Sequence, residues 1–195
     1  NQNIYNSVEK LKNDFEEKLK IADVYENLKK TANGEIVSDN SKITFERYIM
    51  GSYFEQVLYY ANLRFSKMTG GRYEIVRGES RDKRISAGLE ISVRDNFNNK
   101  ERDISSLSGG ESFQASLALA LGLSDIIQQR NGGIRLDSIF IDEGFGSLDN
   151  DSLASAIETL NDLTGNGNRL VGIISHISEL KNSIGNKIEV VGTKS

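Results

Sequence analysis

The sequence predicts an α/β fold in which a mixed sheet is flanked by helices. Two short, mostly apolar runs, 136–141 and 170–174, are rich in β-branched residues and are followed by polar side chains, which is typical of strands in a parallel sheet. Helical spacing of apolar residues marks three longer segments, and alternation predicts a smaller antiparallel piece. These segments are 4–25, 45–68, the run after residue 111, and the strand pattern at 72–76 and 89–93.

The first of these segments predicts a coiled-coil stub over residues 1–32. Its apolar positions recur at alternating four- and three-residue steps, with Lys18 as an interruption. They are Ile4, Val8, Leu11, Phe15, Ala22 and Tyr25. Because the stripe covers only about three heptads, an amphipathic helix packed on the globular part explains the same pattern. Asn33-Gly34 and the polar run 38–41 are expected to end the helix.

A second long helix is predicted from Thr44 to Met68. Apolar residues again recur at helical spacing, and Gly70-Gly71 is expected to stop the helix. We expect Arg47 and Arg64, both within this helix, to be solvated or paired with nearby glutamates.

A polar run, Ser105 to Gly110, leads directly into the third helical segment. Its serines and glycines should therefore lie at a helix N-terminus, where unpaired N–H groups and the helix dipole favour an anion. Glycine lets the backbone approach a phosphate closely, and Ser108 adds a hydroxyl donor. An ordinary capped helix start is the alternative for this run taken alone.

Two carboxylates, Asp142 and Glu143, follow the apolar run 136–141. At the C-terminal end of a buried parallel strand they would lie where open α/β sheets bind ligands. Asp142 would hold Mg²⁺, and Glu143 would orient or deprotonate an attacking water. A solvated turn is the common alternative, but here Gly144, Gly146, Ser147, Leu148 and Asp149 follow in fixed order.

His176, the single histidine, follows the apolar run 170–174 and Ser175. A lone histidine is usually structural or exposed. At a second strand end, however, it would be placed to hydrogen-bond a γ-phosphate.

Together these motifs resemble the C-terminal half of an ABC-type ATPase. The matching pieces are the signature motif at 107–111, Walker B at 138–143, the D-loop at 147–149 and the H-loop at 175–176. Glu111 and Gly144 replace the glutamine and proline usual in transporter ATPases, so the chain resembles the SbcC-like branch of SMC-like ATPases. The resemblance runs from about Ser41 to Gly192 and implies the fold of a C-terminal ABC ATPase lobe over 33–195.

The resemblance also implies a role for each motif. ATP and Mg²⁺ would be sandwiched between two subunits, with Glu143 and His176 catalytic in their own subunit and Asp142 on the metal. The signature residues would meet the γ-phosphate held by the partner subunit, and the D-loop would lie at the dimer interface. The signature residues are Ser108, Gly109, Gly110 and Glu111, and the D-loop residues are Ser147, Leu148 and Asp149.

The phosphate cradle itself is missing, since no G-x-x-x-x-G-K-[ST] occurs in the sequence. The resemblance places it in an N-terminal lobe beyond a long coiled coil, so this chain, which starts with Asn1, is expected to be inactive alone. It also implies an ATP-dependent head homodimer, an SbcD-type metal-dependent nuclease partner, and DNA.

Composition excludes several classes of function. The 195 residues contain no cysteine, which excludes disulfides, thiolate metal sites and cysteine catalysis. A net charge of −4 gives no footprint of a nucleic-acid binder, so DNA binding rests on the resemblance alone. With no apolar stretch near the length of a membrane span, no membrane partner and a cytoplasmic location are expected.

Three alternatives remain at this point. A transporter ATPase subunit would show a different turn after the acidic pair, and a non-hydrolysing dimerisation module would be expected to lose Glu143 or Ser108. The nearest alternative is the head lobe of a chromosome-organising SMC-type ATPase, distinguished by the turn at 144–149 and by the protein that copurifies.

Overall fold

The structure, a computed structural model, describes residues 2–35, 44–78, 89–130, 136–167 and 169–190. The elements in chain order are α1 (Gln2–Ala32), α2 (Phe45–Met68), β1 (Tyr73–Arg77), β2 (Ile91–Asp95), β3 (Lys100–Asp103), α3 (Gly109–Arg130), β4 (Ser138–Asp142), α4 (Asn150–Gly167), β5 (Leu170–Ile174) and α5 (Ser178–Ser183). Single 3-10 turns at Ile104–Ser106 and Phe145–Ser147 precede α3 and α4.

The chain divides into two compact units. The first contains Asn1–Phe54 with Glu79–Glu90, and the second contains Glu55–Gly78 with Ile91–Ser195. All the motif residues belong to the second unit. The predicted domain division between residues 32 and 33 stays a prediction.

Helix α1 ends at Ala32, where the sequence predicts. Gly34 adopts a left-handed conformation with φ of 69°, which glycine reaches without a steric cost. The predicted apolar stripe is exposed along the helix; Leu11, for example, is 68% exposed. A coiled-coil role for this helix stays a prediction, and the polar run 38–41 lies outside the described residues.

The core of the second unit forms where α2 packs on α3. Ala61, Phe65 and Met68 of α2 are buried. A Cβ built on Gly122 of α3 would lie 2.6 Å from the carbonyl oxygen of Val57, so the two backbones approach at a distance that only glycine permits. Gly70 and Gly71, with φ of 59° and 79°, end α2 as predicted.

Arg64 is neither solvated nor paired with glutamate, so the prediction was wrong for this arginine. Its guanidinium lies 2.7 Å from the carboxylate of Asp125 on α3, and Arg169 lies 3.0 Å from the same carboxylate. All three side chains are less than one-fifth exposed. The partner is non-local, 61 positions away along the chain, which is why helical spacing within α2 could not identify it.

An antiparallel sheet forms in the order β1-β2-β3. Its register pairs Ile75 with Val93 and Val93 with Arg102. The side-chain amide of Asn62 on α2 donates to the carbonyl of Ile75 and accepts from its N–H, at 2.7 and 2.8 Å. The two predicted strands are confirmed, and β3, whose sequence is charged, was not predicted.

Strands β4 and β5 form a separate parallel pair, with Asp142 opposite Ile174. Parallel pairing is confirmed, but the expected burial is wrong: Phe140 is 68% and Leu170 65% exposed. Among the described residues this sheet has only two strands, so no further strand shields these side chains. The ring of Phe140 occupies the space beside Gly172, where a Cβ would lie 2.6 Å from it.

Candidate functional site

The start of α3 is built as a capping box. The Ser108 hydroxyl oxygen accepts from the N–H of Glu111 at 3.3 Å, and the Glu111 carboxylate accepts from the N–H of Ser108 at 2.9 Å. The predicted helix N-terminus is confirmed. N–H groups of Gly109 and Gly110 lie in the first turn, where the helix offers no carbonyl partner. This end of α3 therefore retains the donors that an anion needs.

The carboxylate of Glu111 has further partners on the antiparallel sheet. The hydroxyl of Tyr73 on β1 donates to it at 2.8 Å, and the guanidinium of Arg102 on β3 lies 4.0 Å away. Partial burial by itself raises the pKa of Glu111, but the hydrogen bonds from Ser108 and Tyr73 outweigh burial and lower it. Glu111 is thus held as a carboxylate beside the predicted phosphate contact.

The signature glycines pack directly on the D-loop of the same chain. A Cβ built on Gly110 would lie 2.8 Å from the backbone oxygen of Ser147, whereas one on Gly109 would lie 3.5 Å from the Ser147 side chain. Glycine at position 110 is therefore required by close backbone contact. The structure brings these two predicted motifs together.

The turn after β4 has an unusual backbone. Glu143 and Gly144 both have positive φ, 61° and 97°, and the N–H of Glu143 donates to the carbonyl of Ile174 at 2.9 Å. A proline, with φ near −65°, does not fit the conformation of Gly144. The backbone conformation of this turn thus explains why position 144 carries glycine and not the proline usual in transporter ATPases. Phe145 follows it and is buried.

Glu143 and His176 meet at the ends of the paired strands. The Nδ1 atom of His176 lies 3.1 Å from the carboxylate of Glu143, and both side chains are at least half exposed. An ionised carboxylate only accepts hydrogen bonds, so Nδ1 carries the proton in this contact. Nε2 of a neutral ring then accepts, and a hydrogen bond from Nε2 to a phosphate requires the imidazolium form.

The D-loop carboxylate caps the next helix. Asp149 accepts from the N–H of Ser152 at 2.8 Å, and this bond lowers the pKa of Asp149. The hydroxyl of Ser147 donates to the carbonyl of Gly144 at 3.1 Å, and the N–H of Leu148 donates to the carbonyl of Phe145. The D-loop is therefore ordered by local hydrogen bonds.

Asp142 is exposed at the end of β4. Within the described ranges, no group of three or more acidic or histidine side chains could hold a metal ion. A single exposed carboxylate suits Mg²⁺, which keeps several waters and is often shared with phosphate oxygens. The donor at this position fits that ion.

Sequence reasoning missed three residues that shape the site. Tyr73 and Arg102 support Glu111 from the antiparallel sheet, and Phe113 packs edge-on against Phe145 with ring centroids 4.8 Å apart. The phenylalanine could have been found, since position 113 lies near the start of the helix that carries the signature. Nothing local in the sequence points to Tyr73 or Arg102.

Comparisons with known proteins agree with these motifs. A family model described as SbcC/RAD50-like, Walker B motif, matches residues 79–162. The SbcC subunit of nuclease SbcCD from Staphylococcus epidermidis is 47% identical over 194 residues, which is 100% of this chain and 19% of the relative. The protein of the same name from Staphylococcus aureus strain JH9 is 54% identical over 158 residues, 80% of this chain and 16% of the relative.

Among solved structures, this chain is similar to one from work on ATP-driven dimerization and DNA stimulated activation of SMC ATPases, with a TM-score of 0.58. The two sequences are 13% identical, and the match covers 75% of this chain and 83% of the solved one. At this identity the similarity shows the fold alone. None of the described helices combines the length and the hydropathy of a membrane span. With the fold of an SMC-type ATPase head and SbcC relatives that match it along its length, this chain belongs to the SbcC/RAD50-like family.

Proposed function

We propose that this chain is the C-terminal half of the ATP-binding and hydrolysing head of an SbcC-type DNA repair ATPase. The head would control an SbcD-type, metal-dependent partner that cuts double-stranded DNA as an exonuclease and endonuclease. The observation that carries the proposal is the contact between Glu143 and His176 at the ends of adjacent parallel strands. Identity of 47% to the SbcC subunit of a nuclease SbcCD favours this role over that of a chromosome-organising SMC-type ATPase.

In the proposed hydrolysis, each strand-end residue has one task. Asp142 would hold Mg²⁺, an ion that would supply positive charge to offset the charge of the phosphates. Glu143 orients or deprotonates the attacking water, and His176 donates a hydrogen bond to the γ-phosphate. The contact of His176 with Glu143 supports this assignment because it holds both side chains together at the C-terminal ends of β4 and β5.

The signature would act on a nucleotide bound by a second copy of the head. Ser108, Gly109 and Gly110 would present donors at the start of α3, and the packing of the two glycines on Ser147 supports the view that the signature and D-loop act as one surface. In the proposed homodimer, Asp149 crosses the interface. Hydrolysis separates the heads and passes the change to DNA ends through the nuclease.

A complementary N-terminal lobe would supply the P-loop that this sequence lacks. Exposure of Phe140, Leu170 and Ile174 supports this, because parallel sheets are normally covered on both faces. The protein would act in the cytoplasm.

The isolated chain should show no measurable ATP hydrolysis and at most weak nucleotide binding. Calorimetry with ATP and Mg²⁺ measures the binding, and a micromolar affinity for ATP would contradict this expectation.

Two variants of the reassembled head test the composite site. Ser108→Arg puts a longer side chain where the γ-phosphate must enter, so ATP should bind but not drive association. Glu143→Gln keeps the shape but removes the base, so the ATP-bound dimer should persist while turnover falls by roughly two to four orders of magnitude. Size-exclusion chromatography with ATP separates the outcomes, and parental behaviour of both variants would refute the proposal. Copurification with a metal-dependent nuclease tests the SbcC-type role.

A further inference from the structure

A chain of hydrogen bonds runs from the antiparallel sheet to the signature. Arg102 donates to the hydroxyl oxygen of Tyr73 at 3.2 Å, and Tyr73 donates its one hydroxyl hydrogen to Glu111 at 2.8 Å. Glu111 in turn accepts from the N–H of Ser108. Because the carboxylate only accepts and the guanidinium only donates, the direction of every bond in this chain is determined.

The hydroxyl of Tyr73 is placed by the core. Tyr73 is 2% exposed, and its ring stacks on that of Phe65 with centroids 6.3 Å apart. The guanidinium carbons of Arg72 and Arg102 lie 4.7 and 5.3 Å from the ring centroid. The position of the carboxylate of Glu111 is therefore set by strand β1, and not only by the helix that carries it.

Glu111 also brings a negative charge to a helix end that should receive a phosphate. Without partners on the sheet, the carboxylate of Glu111 would repel the phosphate and compete with it for the N–H groups of the first turn of α3. The hydrogen bond from Tyr73 and the nearby Arg102, 4.0 Å away, hold the carboxylate towards the sheet and offset its charge. Guanidinium and hydroxyl thus keep the end of α3 available to an anion.

We propose that Tyr73 and Arg102 are positioning residues for the signature, which hold Glu111 so that Ser108 and the first turn of α3 can engage a γ-phosphate across the head dimer. This inference rests on the proposed function. It assigns to the antiparallel sheet a direct part in ATP-driven association.

The test uses the full-length protein with Glu143→Gln, so that hydrolysis does not obscure association. Tyr73→Phe removes one oxygen and keeps the ring. We expect ATP binding to the single head to be unchanged and ATP-driven association, followed by light scattering, to weaken by about tenfold, as for loss of a hydrogen bond to a charged group. Arg102→Met, at a partly exposed side chain, should weaken association in the same way without altering the core.

Tyr60→Phe is the matched control, since it removes the same hydroxyl from a contact with Gln129 that lies outside the signature. It should leave association unchanged. In a Glu111→Gln background, Tyr73→Phe should have a smaller effect, because the charge that Tyr73 restrains is gone. A role of Tyr73 in core packing alone, which does not act through Glu111, would give the same effect on association in both backgrounds.

These variants distinguish a failure of the proposed function from a failure of the positioning role of Tyr73 and Arg102. If Ser108→Arg leaves association intact, the proposed function fails. If Ser108→Arg abolishes association but Tyr73→Phe and Arg102→Met match Tyr60→Phe, the positioning role alone is overturned. Equal effects of Tyr73→Phe in both Glu111 backgrounds overturn it as well.

Discussion

The ring of Phe113 occupies the space that a side chain at position 144 would need. A Cβ built on Gly144 would lie 2.3 Å from Cε2 of Phe113, and the φ of 97° is strained for any other residue. Phe113 belongs to the signature helix, and Gly144 follows Glu143. One contact therefore ties the turn after Walker B to the helix that carries the signature.

Gly144→Ala should destabilise the assembled head by at least about 1–3 kcal/mol, since both the backbone strain and the clash with Phe113 must be relieved. Thermal unfolding measures the effect. Gly165→Ala in α4 is the control: its Cβ meets no atom within 4 Å, and helix propensity favours alanine by about 0.5–1 kcal/mol. Equal midpoints for the two variants would show that the close contact is not needed.

Gly110→Ala should disturb the signature, whereas Gly109→Ala should be tolerated. Both positions are helical, but only a Cβ at 110 would press on the backbone oxygen of Ser147, at 2.8 Å. We expect ATP-driven head association to be weakened by Gly110→Ala and nearly parental in Gly109→Ala, as measured by size-exclusion chromatography. A stronger association defect in Gly109→Ala than in Gly110→Ala would contradict the importance of the close contact between Gly110 and Ser147.

Glu111 should make stability depend on pH in the acid range. Its folded pKa is lowered from the ordinary value of 4.5, so its contribution is present above that pH and is lost as pH falls through the lowered pKa. The stability difference between the parent and Glu111→Gln should therefore be largest above pH 4.5 and shrink on acidification. Denaturant unfolding across this range checks it; a constant difference would contradict the ionised, hydrogen-bonded carboxylate.

Asp125→Ala should destabilise the second unit by about 2–4 kcal/mol, because it leaves two largely buried guanidinium groups without their shared carboxylate. Lys67→Met serves as the comparison. Lys67 pairs with Glu158 and Asp162, but its side chain is 39% exposed, so solvent screens these pairs and the loss of Lys67 should change stability much less than the loss of Asp125. Chemical denaturation distinguishes the two, and similar losses would mean that burial does not control the strength of these pairs.

Local chemistry explains which features could be predicted from the sequence. The capping at Ser108 and the strand ends at Glu143 and His176 follow from residues close together in the chain, and the structure places each motif on the predicted element. The contact of Tyr73 with Glu111 joins positions 38 apart, and the contact of Arg64 with Asp125 joins positions 61 apart. Periodicity carries no information on such partners. The prediction that β4 is buried was wrong for a related reason, since the burial of a strand depends on which other elements cover the sheet.

The pairing of β4 with β5 has a consequence for how the protein folds. The two strands meet only after the whole of α4 has been made, and in the described part of the chain each keeps one edge without a neighbouring strand. An unpaired edge beside exposed phenylalanine and leucine side chains readily recruits a strand from another molecule. Addition of a strand from another molecule at these open edges would compete with correct assembly, so the timing of synthesis becomes part of how this protein is made.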